Sequence, residues 1–183
     1  MKNLVPKKVF LTKGIGKHKE KLASFEAALR NAEIASYNLV TTSSIFPPGA
    51  ELIEKKDGVK ELLPGQVLFV VMSENATNEP KRVISASVGL AIPRDRSTYG
   101  YLSEHHSFGQ DEAEAGDYAE FLAAHMLATT LGSTFIPPDT QWKKEKDYYK
   151  IKDKILHTTS ITQNGVGEKD LWVSVIAAAV FII

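Results

Sequence analysis

The sequence predicts an α+β sandwich in which two helices cover sheets built from about seven strands. Three observations predict this fold class. The 183 residues are 43% hydrophobic and 24% charged, which is typical of a globular protein with a buried core. Two segments have the apolar spacing of amphipathic helices, and the other apolar segments are short, rich in β-branched residues and bounded by turn residues. Because no internal repeat or linker divides the sequence, we expect residues 1–183 to form one domain.

The elements follow from these periodicities and from the turn residues between them. Gly14 and Gly16 are expected to end a first strand, and Pro47 and Pro48 to end the strand before them, because proline cannot donate to a strand ladder. In chain order we predict strand Val9–Thr12, helix Lys19–Ala32, strand Tyr37–Ser43, a charged hairpin around Lys55–Lys60, strands Val67–Met72, Val83–Ile92 and Tyr99–His105, helix Asp111–Leu131 closed by Gly132, a loop at Pro137–Pro138, and a final antiparallel pair of Tyr148–Ile161 with Trp172–Ile183.

The first predicted helix has a carboxylate at the edge of its apolar stripe. Leu22 and Leu29 recur at helical spacing, and Glu26 lies beside them. A carboxylate at such a position is either a solvated flank residue or a group that needs a partner or a ligand. Spacing alone favours the solvated flank.

The charge balance and the absence of cysteine exclude several classes of function. The 22 basic residues are matched by 22 acidic ones, so we expect neither nucleic acid nor an anionic membrane as a partner. Without cysteine the chain has no disulfides and no thiolate metal ligands, which fits a cytoplasmic protein. No apolar stretch near the N-terminus is long enough for a signal peptide, and the apolar run 171–183 is too short to span a bilayer.

Two local motifs do not support a cofactor or a metal. Gly14-Ile15-Gly16-Lys17 lacks both the spacing of a phosphate-binding loop and the third glycine of a dinucleotide-binding motif. His105 and His106 are adjacent on a predicted strand, so they point to opposite faces and cannot easily share one ion. We therefore expect no metal site, and we interpret His125 and His157 as structural histidines.

The segment Tyr37–Glu51 is the most specific signal in the sequence. In it an Asn-Leu stretch leads through Ser43-Ser44 into Ile-Phe-Pro-Pro. A pair of serines alone is common in turns, but the complete string resembles the self-processing site of the pyruvoyl-dependent arginine decarboxylases. The resemblance extends over most of the chain. Phe25–Ala32 is similar to the family's Phe-Asp-x-Ala-Leu-x-x-Ala helix, with Glu26 in place of Asp, and Ser85–Asp95 is similar to its Ser-Ala-x-x-x-x-Ala-Ile-Pro-Lys-Asp pattern. Tyr99–Glu104 is similar to the strand that delivers a catalytic Glu, and the segments Glu112–Glu114 and Ala177–Ala179 also agree with the family.

The resemblance implies an αββα sandwich of mostly antiparallel sheets and a covalent cofactor made from the chain itself. The chain would cut itself between Ser43 and Ser44 into a β chain, residues 1–43, and an α chain, residues 44–183. The residue left at position 44 would become a pyruvoyl group, which supplies a ketone for amino-acid decarboxylation. Asn38 would hydrogen-bond the tetrahedral oxygen during cleavage. Glu104 would be the general acid, held protonated by burial.

The same resemblance assigns the substrate and the assembly. Glu26 would pair with the guanidinium of arginine, with Leu22 and Leu29 beside it, and a homotrimer or a dimer of trimers would place the site between subunits. Because Glu is one methylene longer than Asp, decarboxylation of another amino acid remains open. A third possibility is a non-catalytic trimeric module in which the Ser43–Ser44 bond stays intact.

Overall fold

The computed structural model describes residues 4–132, 148–151 and 154–183. They form a four-layer αββα sandwich, which confirms the predicted α+β class. The strands are β1 Lys8–His18, β2 Asn38–Thr41, β3 Ile45–Phe46, β4 Glu51–Leu52, β5 Val67–Thr77, β6 Val83–Pro93, β7 Gly100–Phe108, β8 Tyr148–Ile151, β9 Lys154–Val166 and β10 Trp172–Ile182, and the helices are α1 Lys21–Asn31, α2 Lys55–Gly58 and α3 Glu112–Thr130.

Each of the two sheets has five strands. The first has the order β2-β5-β10-β1-β4, and its two edge pairs, β2 with β5 and β1 with β4, are parallel. The second has the order β3-β7-β6-β9-β8 and is antiparallel throughout. One apolar cluster fills the space between the sheets, a second lies between the first sheet and α1, and a smaller one lies beneath α3.

The predicted pairing of the last two segments is wrong. β9 pairs with β6 and β8 in the second sheet, whereas β10 lies between β5 and β1 in the first. The physical reason is that β10 is apolar on both faces: Ala177 and Ala179 pack between the sheets, and Ile176 and Ala178 pack beneath α1. A central strand of a covered sheet buries both faces, which an edge strand of a local hairpin does not.

Gly14 and Gly16 do not end the first strand, contrary to the prediction, but lie within β1. A Cβ atom on Gly14 would come within 2.1 Å of the carbonyl oxygen of Ala28, and one on Gly16 within 2.1 Å of that of Ser24. Both acceptors belong to α1. The glycines therefore let the backbone of α1 pack directly against the backbone of β1, with no side chain between them.

The charged hairpin predicted around residues 55–60 is also wrong. Residues 55–58 form the one-turn helix α2, and a 3-10 helix, Val59–Glu61, continues it. Lys60 and Asp57 form an ion pair of 2.9 Å at i,i+3 spacing, which suits a helical turn and not a hairpin.

The second long helix was predicted nearly to its ends. α3 begins with a capping box, in which the Asp111 side chain accepts from the Glu114 backbone N–H and the Glu114 side chain accepts from that of Asp111. In the described part of the chain, no helix is both long and apolar enough to cross a membrane. The loop predicted at Pro137–Pro138 lies outside the described residues.

Candidate active site

The Ser43–Ser44 peptide bond lies where the chain crosses from the first sheet to the second. β2 ends at Thr41, and the backbone N–H of Thr42 donates to the carbonyl oxygen of Val70 on β5 at 2.8 Å. Two residues after Ser43, β3 begins and pairs with β7 in the second sheet. The bond is therefore exposed at the rim of the sandwich but fixed to a different sheet on each side.

Both serine carbonyls accept hydrogen bonds from backbone amides. The N–H of Ile45 donates to the carbonyl oxygen of Ser43 at 3.0 Å, which closes a tight turn centred on Ser44. The N–H of Leu102 on β7 donates to the carbonyl oxygen of Ser44 at 2.8 Å. The first bond polarises the carbonyl carbon that a neighbouring hydroxyl could attack, and the second fixes the carbonyl on the other side of Ser44.

A β-turn follows the two serines and directs the chain back along the rim. The N–H of Ala50 donates to the carbonyl oxygen of Pro47 at 3.2 Å, and Gly49 has a φ of 69°. Pro48 at the second position and a left-handed Gly49 at the third are typical of a type II turn. The two prolines thus end β3, whereas the predicted strand Tyr37–Ser43 already ends at Thr41, because the chain leaves the first sheet there.

Glu104 lies on the same face of β7 as Leu102, two residues farther along. Alternate residues of a strand share a face and are about 7 Å apart, so Glu104 lies next to the Ser44 attachment. Its carboxylate accepts a hydrogen bond from the backbone amide of Met72 on β5. Glu104 is exposed in the single chain, contrary to the expected burial, but partial desolvation still raises the pKa of its carboxyl, and the Met72 hydrogen bond offsets part of that rise. The pKa of Glu104 therefore moves in the direction that a proton donor near neutral pH requires.

The position of Met72 explains why its amide is available to Glu104. β2 pairs with β5 only as far as Val70, because the chain leaves the first sheet after Thr41. Met72 lies two residues farther along the same edge of β5, where β2 no longer covers it. The departure of the Ser43–Ser44 segment from the sheet thus creates the place that the Glu104 side chain fills.

Polar side chains join β5 to β7 next to Glu104. The hydroxyl of Ser73 donates to the carbonyl oxygen of His105 at 2.7 Å, and the side-chain amide of Asn75 donates to that of Ser107 at 2.9 Å. With the Glu104 contact, they connect the first sheet to the second along one side of the sandwich. The backbone that presents Glu104 is therefore held from both sheets.

Asn38, the residue expected to hydrogen-bond the tetrahedral oxygen, is at the start of β2. Its side-chain amide donates to the carbonyl oxygen of Gly65 at 2.7 Å. In this conformation, the hydrogen bond to the Ser43 carbonyl oxygen comes from the Ile45 backbone instead. The expected role of Asn38 stays a prediction and would require its side chain to leave Gly65.

Glu26, the carboxylate expected to bind the substrate, is paired on its own helix. Arg30 donates to its two oxygens from Nε at 2.6 Å and from Nη2 at 2.5 Å. These bonds lower the pKa of the Glu26 carboxyl and raise that of the Arg30 guanidinium. Glu26 is thus fully ionised near neutral pH, as recognition of a cation requires, but a cationic substrate must share it with Arg30.

The two leucines beside Glu26 differ in their surroundings. Leu22 is 78% exposed and lines a cleft of about 640 Å³ at the start of α1, together with Phe25, Glu74 and His106. Leu29 packs against the apolar cluster beneath α1. Only Leu22 of this pair is therefore open to a ligand in the single chain.

A separate cleft of about 420 Å³ adjoins the Ser43–Ser44 peptide bond. Its lining includes Ser43, Ile45 and Pro47 as well as Val5 and Phe69, and most of its wall is apolar. The two clefts share no lining residue. A single chain therefore does not bring Leu22 and Ser43 into one cavity.

The adjacent histidines are separated, as predicted. Nε2 of His105 lies 2.7 Å from Oε1 of Gln110, and its ring packs edge-on against Tyr118 of α3. His106 points to the other side of β7 and lines the larger cleft. Within the described residues, no group of three or more acidic or histidine side chains could hold a metal ion.

The sequence interpretation missed three groups at this site, all of them backbone amides. These are the N–H groups of Ile45, Leu102 and Met72. Every residue type supplies such a donor, so composition and motif spacing do not identify it. A partial signal was available, since Leu102 and Glu104 belong to a segment already singled out for its resemblance.

Comparison with known proteins places the chain among described relatives over its whole length. A family model described as "Pyruvoyl-dependent arginine decarboxylase" matches residues 8–183. A protein of Chlorobium phaeovibrioides named "Probable pyruvoyl-dependent arginine decarboxylase" is 54% identical over 180 residues, covering 98% of this chain and 99% of the relative. A protein of Nitrosopumilus maritimus named "Pyruvoyl-dependent arginine decarboxylase" is 53% identical, and the match covers 100% of both chains. A protein of Methanococcoides burtonii with the same name is 50% identical, and the match covers 98% of this chain and 100% of the relative.

Proposed function

Because the chain belongs to the family of pyruvoyl-dependent arginine decarboxylases, we propose that it converts L-arginine to agmatine and CO2 with a pyruvoyl group made from Ser44. Self-cleavage between Ser43 and Ser44 would generate this group and divide the chain into residues 1–43 and 44–183. The observation that supports the proposal most directly is the hydrogen bond from the Ile45 N–H to the Ser43 carbonyl oxygen. It provides a donor at the atom where negative charge would develop.

Self-cleavage requires one serine hydroxyl and one water molecule. The Oγ of Ser44 bonds to the carbonyl carbon of Ser43, the C–N bond between the residues breaks, and the hydroxyl proton passes to the nitrogen of Ser44. The resulting ester loses the Cα proton of residue 44, which breaks the Cβ–O bond and leaves Ser43 with a free carboxylate. Water then adds to residue 44 and ammonia leaves, which produces the ketone.

The conformation around Ser44 suits the first of these steps. Nucleophile and electrophile belong to adjacent residues, so the reaction is intramolecular and its efficiency depends on orientation. Thr42 is held to Val70 and Ser44 to Leu102, so the chain on either side of the reacting bond is fixed. The half-buried Ser44 lies between these two attachments. A hydrogen bond from Ile45 would strengthen as the Ser43 oxygen becomes charged.

Two groups around position 44 fit a pyruvoyl group. The Leu102 N–H would hold the amide carbonyl next to the ketone, and Glu104 would lie beside it. A pyruvoyl group supplies an electrophilic ketone that takes up the substrate amine and the electrons released with CO2. In this proposal Glu104 delivers a proton to the carbon that loses CO2, which requires its carboxyl to be protonated at working pH.

Substrate recognition is assigned to α1 of a neighbouring subunit in a homotrimer or dimer of trimers. Glu26 matches a guanidinium in charge and shape, because two carboxylate oxygens can accept two parallel N–H bonds. Arg30 demonstrates this geometry, since its guanidinium already binds Glu26 through two nitrogens. Leu22, exposed one turn before Glu26, would contact the aliphatic part of the substrate. Asn38 is retained as a proposed second donor during cleavage.

Decarboxylation of a different amino acid is the second candidate. The observation that favours it is the pairing of Glu26 with Arg30, because that carboxylate is partly neutralised before substrate arrives. A smaller or uncharged side chain would not need to compete with Arg30. Agmatine formation from arginine, compared with product formation from lysine, ornithine and histidine, distinguishes the two candidates.

The experiment that tests the proposal combines intact mass with product analysis. We expect purified protein to contain two polypeptides, residues 1–43 and 44–183, and to release agmatine from arginine. A single uncleaved polypeptide would contradict the proposal. Cleavage without agmatine but with another amine would support the second candidate.

A further inference from the structure

Arg96 contacts the proline turn that follows the cleavage site on both of its sides. It lies in the loop between β6 and β7, residues 94–99. Its carbonyl oxygen accepts from the Gly49 N–H at 2.8 Å, and its Nη2 donates to the carbonyl oxygen of Ala50. Its guanidinium carbon is 5.9 Å from the ring centroid of Phe46. One side chain therefore connects the residue before the prolines to the residue after the turn.

The segment that Arg96 contacts has few backbone hydrogen bonds to neighbouring strands, although the side chains of Phe46 and Ala50 are buried. β3 consists of Ile45 and Phe46 alone and lies at the edge of the second sheet. Pro47 and Pro48 have no N–H to donate to a neighbouring strand. Short edge strands with few hydrogen bonds open more readily than the core of a sheet. Contacts made farther along, at Phe46 and Ala50, therefore add to the Leu102 hydrogen bond in fixing the position of Ser44.

We propose that Arg96 is a positioning residue for self-cleavage, an inference that rests on the proposed cleavage between Ser43 and Ser44. By holding Phe46 and Ala50, Arg96 keeps β3 on β7 and the Ser44 hydroxyl oriented toward the Ser43 carbonyl carbon. Arg96 does not touch the reacting atoms. Its effect depends on a planar cation that hydrogen-bonds a carbonyl and packs over an aromatic ring at once, which lysine reproduces in part.

The rate at which newly made chains cleave tests this inference. Chains are synthesised in a cell-free system, and the uncleaved fraction is followed on denaturing gels. We expect Arg96→Ala to slow cleavage about tenfold, the effect of losing one hydrogen bond to a charged donor. Arg96→Lys should fall between this variant and the wild type. Arg94→Ala, which removes an exposed arginine from the same loop, should cleave at the wild-type rate.

Chemical rescue and thermal unfolding separate positioning from general stability. We expect millimolar guanidinium ion to restore part of the cleavage rate of Arg96→Ala and to leave Arg94→Ala unchanged, with both variants melting near the wild-type temperature. A wild-type cleavage rate for Arg96→Ala would overturn the inference. A slower rate that comes with a much lower melting temperature and no rescue would overturn it too.

A second variant covers the case in which Arg96→Ala does not fold. Phe46→Leu keeps a buried apolar side chain but removes the ring face, so slower cleavage is expected. Wild-type rates for both Phe46→Leu and Arg96→Lys would overturn the inference. If the wild-type chain never cleaves, the proposed function fails, and this inference fails with it. If the wild type cleaves and the Arg96 variants cleave equally fast, the inference alone is overturned.

Discussion

The backbone N of Leu102 lies 2.8 Å from the carbonyl oxygen of Ser44 and attaches the segment after the Ser43–Ser44 bond to the second sheet. Thr42, on the other side of that bond, is attached to Val70 in the first sheet at the same distance. The Ser43–Ser44 bond thus joins two sheets that share one apolar core and are each covered by a helix, α1 on the first and α3 on the second. Any motion that separates Leu102 from Ser44 is expected to disorder the cleavage site.

Ser44→Ala is expected to abolish both self-cleavage and decarboxylation, because alanine has no hydroxyl to attack the Ser43 carbonyl carbon. Denaturing gels and agmatine assays measure the two effects. Ser36→Ala, which removes an exposed serine from the turn before β2, is the matched control and should cleave as the wild type does. Cleavage in Ser44→Ala would exclude this hydroxyl as the nucleophile.

Glu104→Gln is expected to allow cleavage but to lower turnover per cleaved chain by about 10²- to 10⁴-fold, the usual contribution of a general acid. Glutamine keeps the size of the side chain and its ability to accept from Met72, but it cannot transfer a proton. Glu79→Gln, which changes an exposed carboxylate in the turn after β5, is the control. A Glu104→Gln enzyme with wild-type turnover would remove Glu104 from the mechanism.

The raised pKa of Glu104 also predicts the pH dependence of the reaction. The protonated carboxyl is the active form, so turnover should be constant at low pH and fall as pH rises through the pKa of Glu104. The same sign holds for stability: this group favours the folded state below its unfolded pKa, and its contribution disappears as pH rises through the raised folded pKa. Turnover and unfolding free energy should both lose this pH dependence in Glu104→Gln.

Ser73→Ala is expected to destabilise the fold by about 1–3 kcal/mol, because the part-buried carbonyl of His105 would lose its hydrogen-bond donor. Urea unfolding measures the change, and the exposed Ser36→Ala should change stability by no more than about 0.5 kcal/mol. Equal stability of the two variants would show that the β5–β7 hydrogen bonds do not hold the two sheets together.

Gly89→Ala should be more costly, since a Cβ atom there would come within 2.2 Å of the carbonyl oxygen of Ala119 in α3. We expect a loss of about 3 kcal/mol, the upper part of the range for overpacked cores. Gly109→Ala, where φ is 89° and a Cβ would meet nothing within 4 Å, should cost about 1–2 kcal/mol from backbone conformation alone. A Gly89→Ala chain as stable as Gly109→Ala would argue against direct packing of α3 on β6.

Local patterns in the sequence predicted those parts of the fold that local patterns determine. The spacing of apolar residues located α1 and α3, and the two prolines located the turn that follows the serines. The position of β10 at the centre of the first sheet could not be predicted in this way, because its partners β1 and β5 are distant in the chain. Gly14 and Gly16 were misinterpreted for a related reason: they are required by the close packing of α1 on β1, which is a tertiary contact and not a local pattern.

The candidate site shows the same division. Ser43, Ser44 and Glu104 were named from sequence, and the structure places them around one crossing between the sheets. The contributions of Ile45 and Leu102 come from backbone groups, which side-chain chemistry does not reveal. The pairing of Glu26 with Arg30 was detectable at i,i+4 spacing, but spacing alone could not show that both carboxylate oxygens are occupied.

Self-cleavage at Ser43–Ser44 is tested by intact mass spectrometry of the purified, denatured protein. We expect two polypeptides, residues 1–43 and 44–183, with the larger one lighter by one ammonia than the unmodified peptide and labelled by a carbonyl-specific hydrazide. A single polypeptide with the mass of the full sequence and no hydrazide label would contradict it.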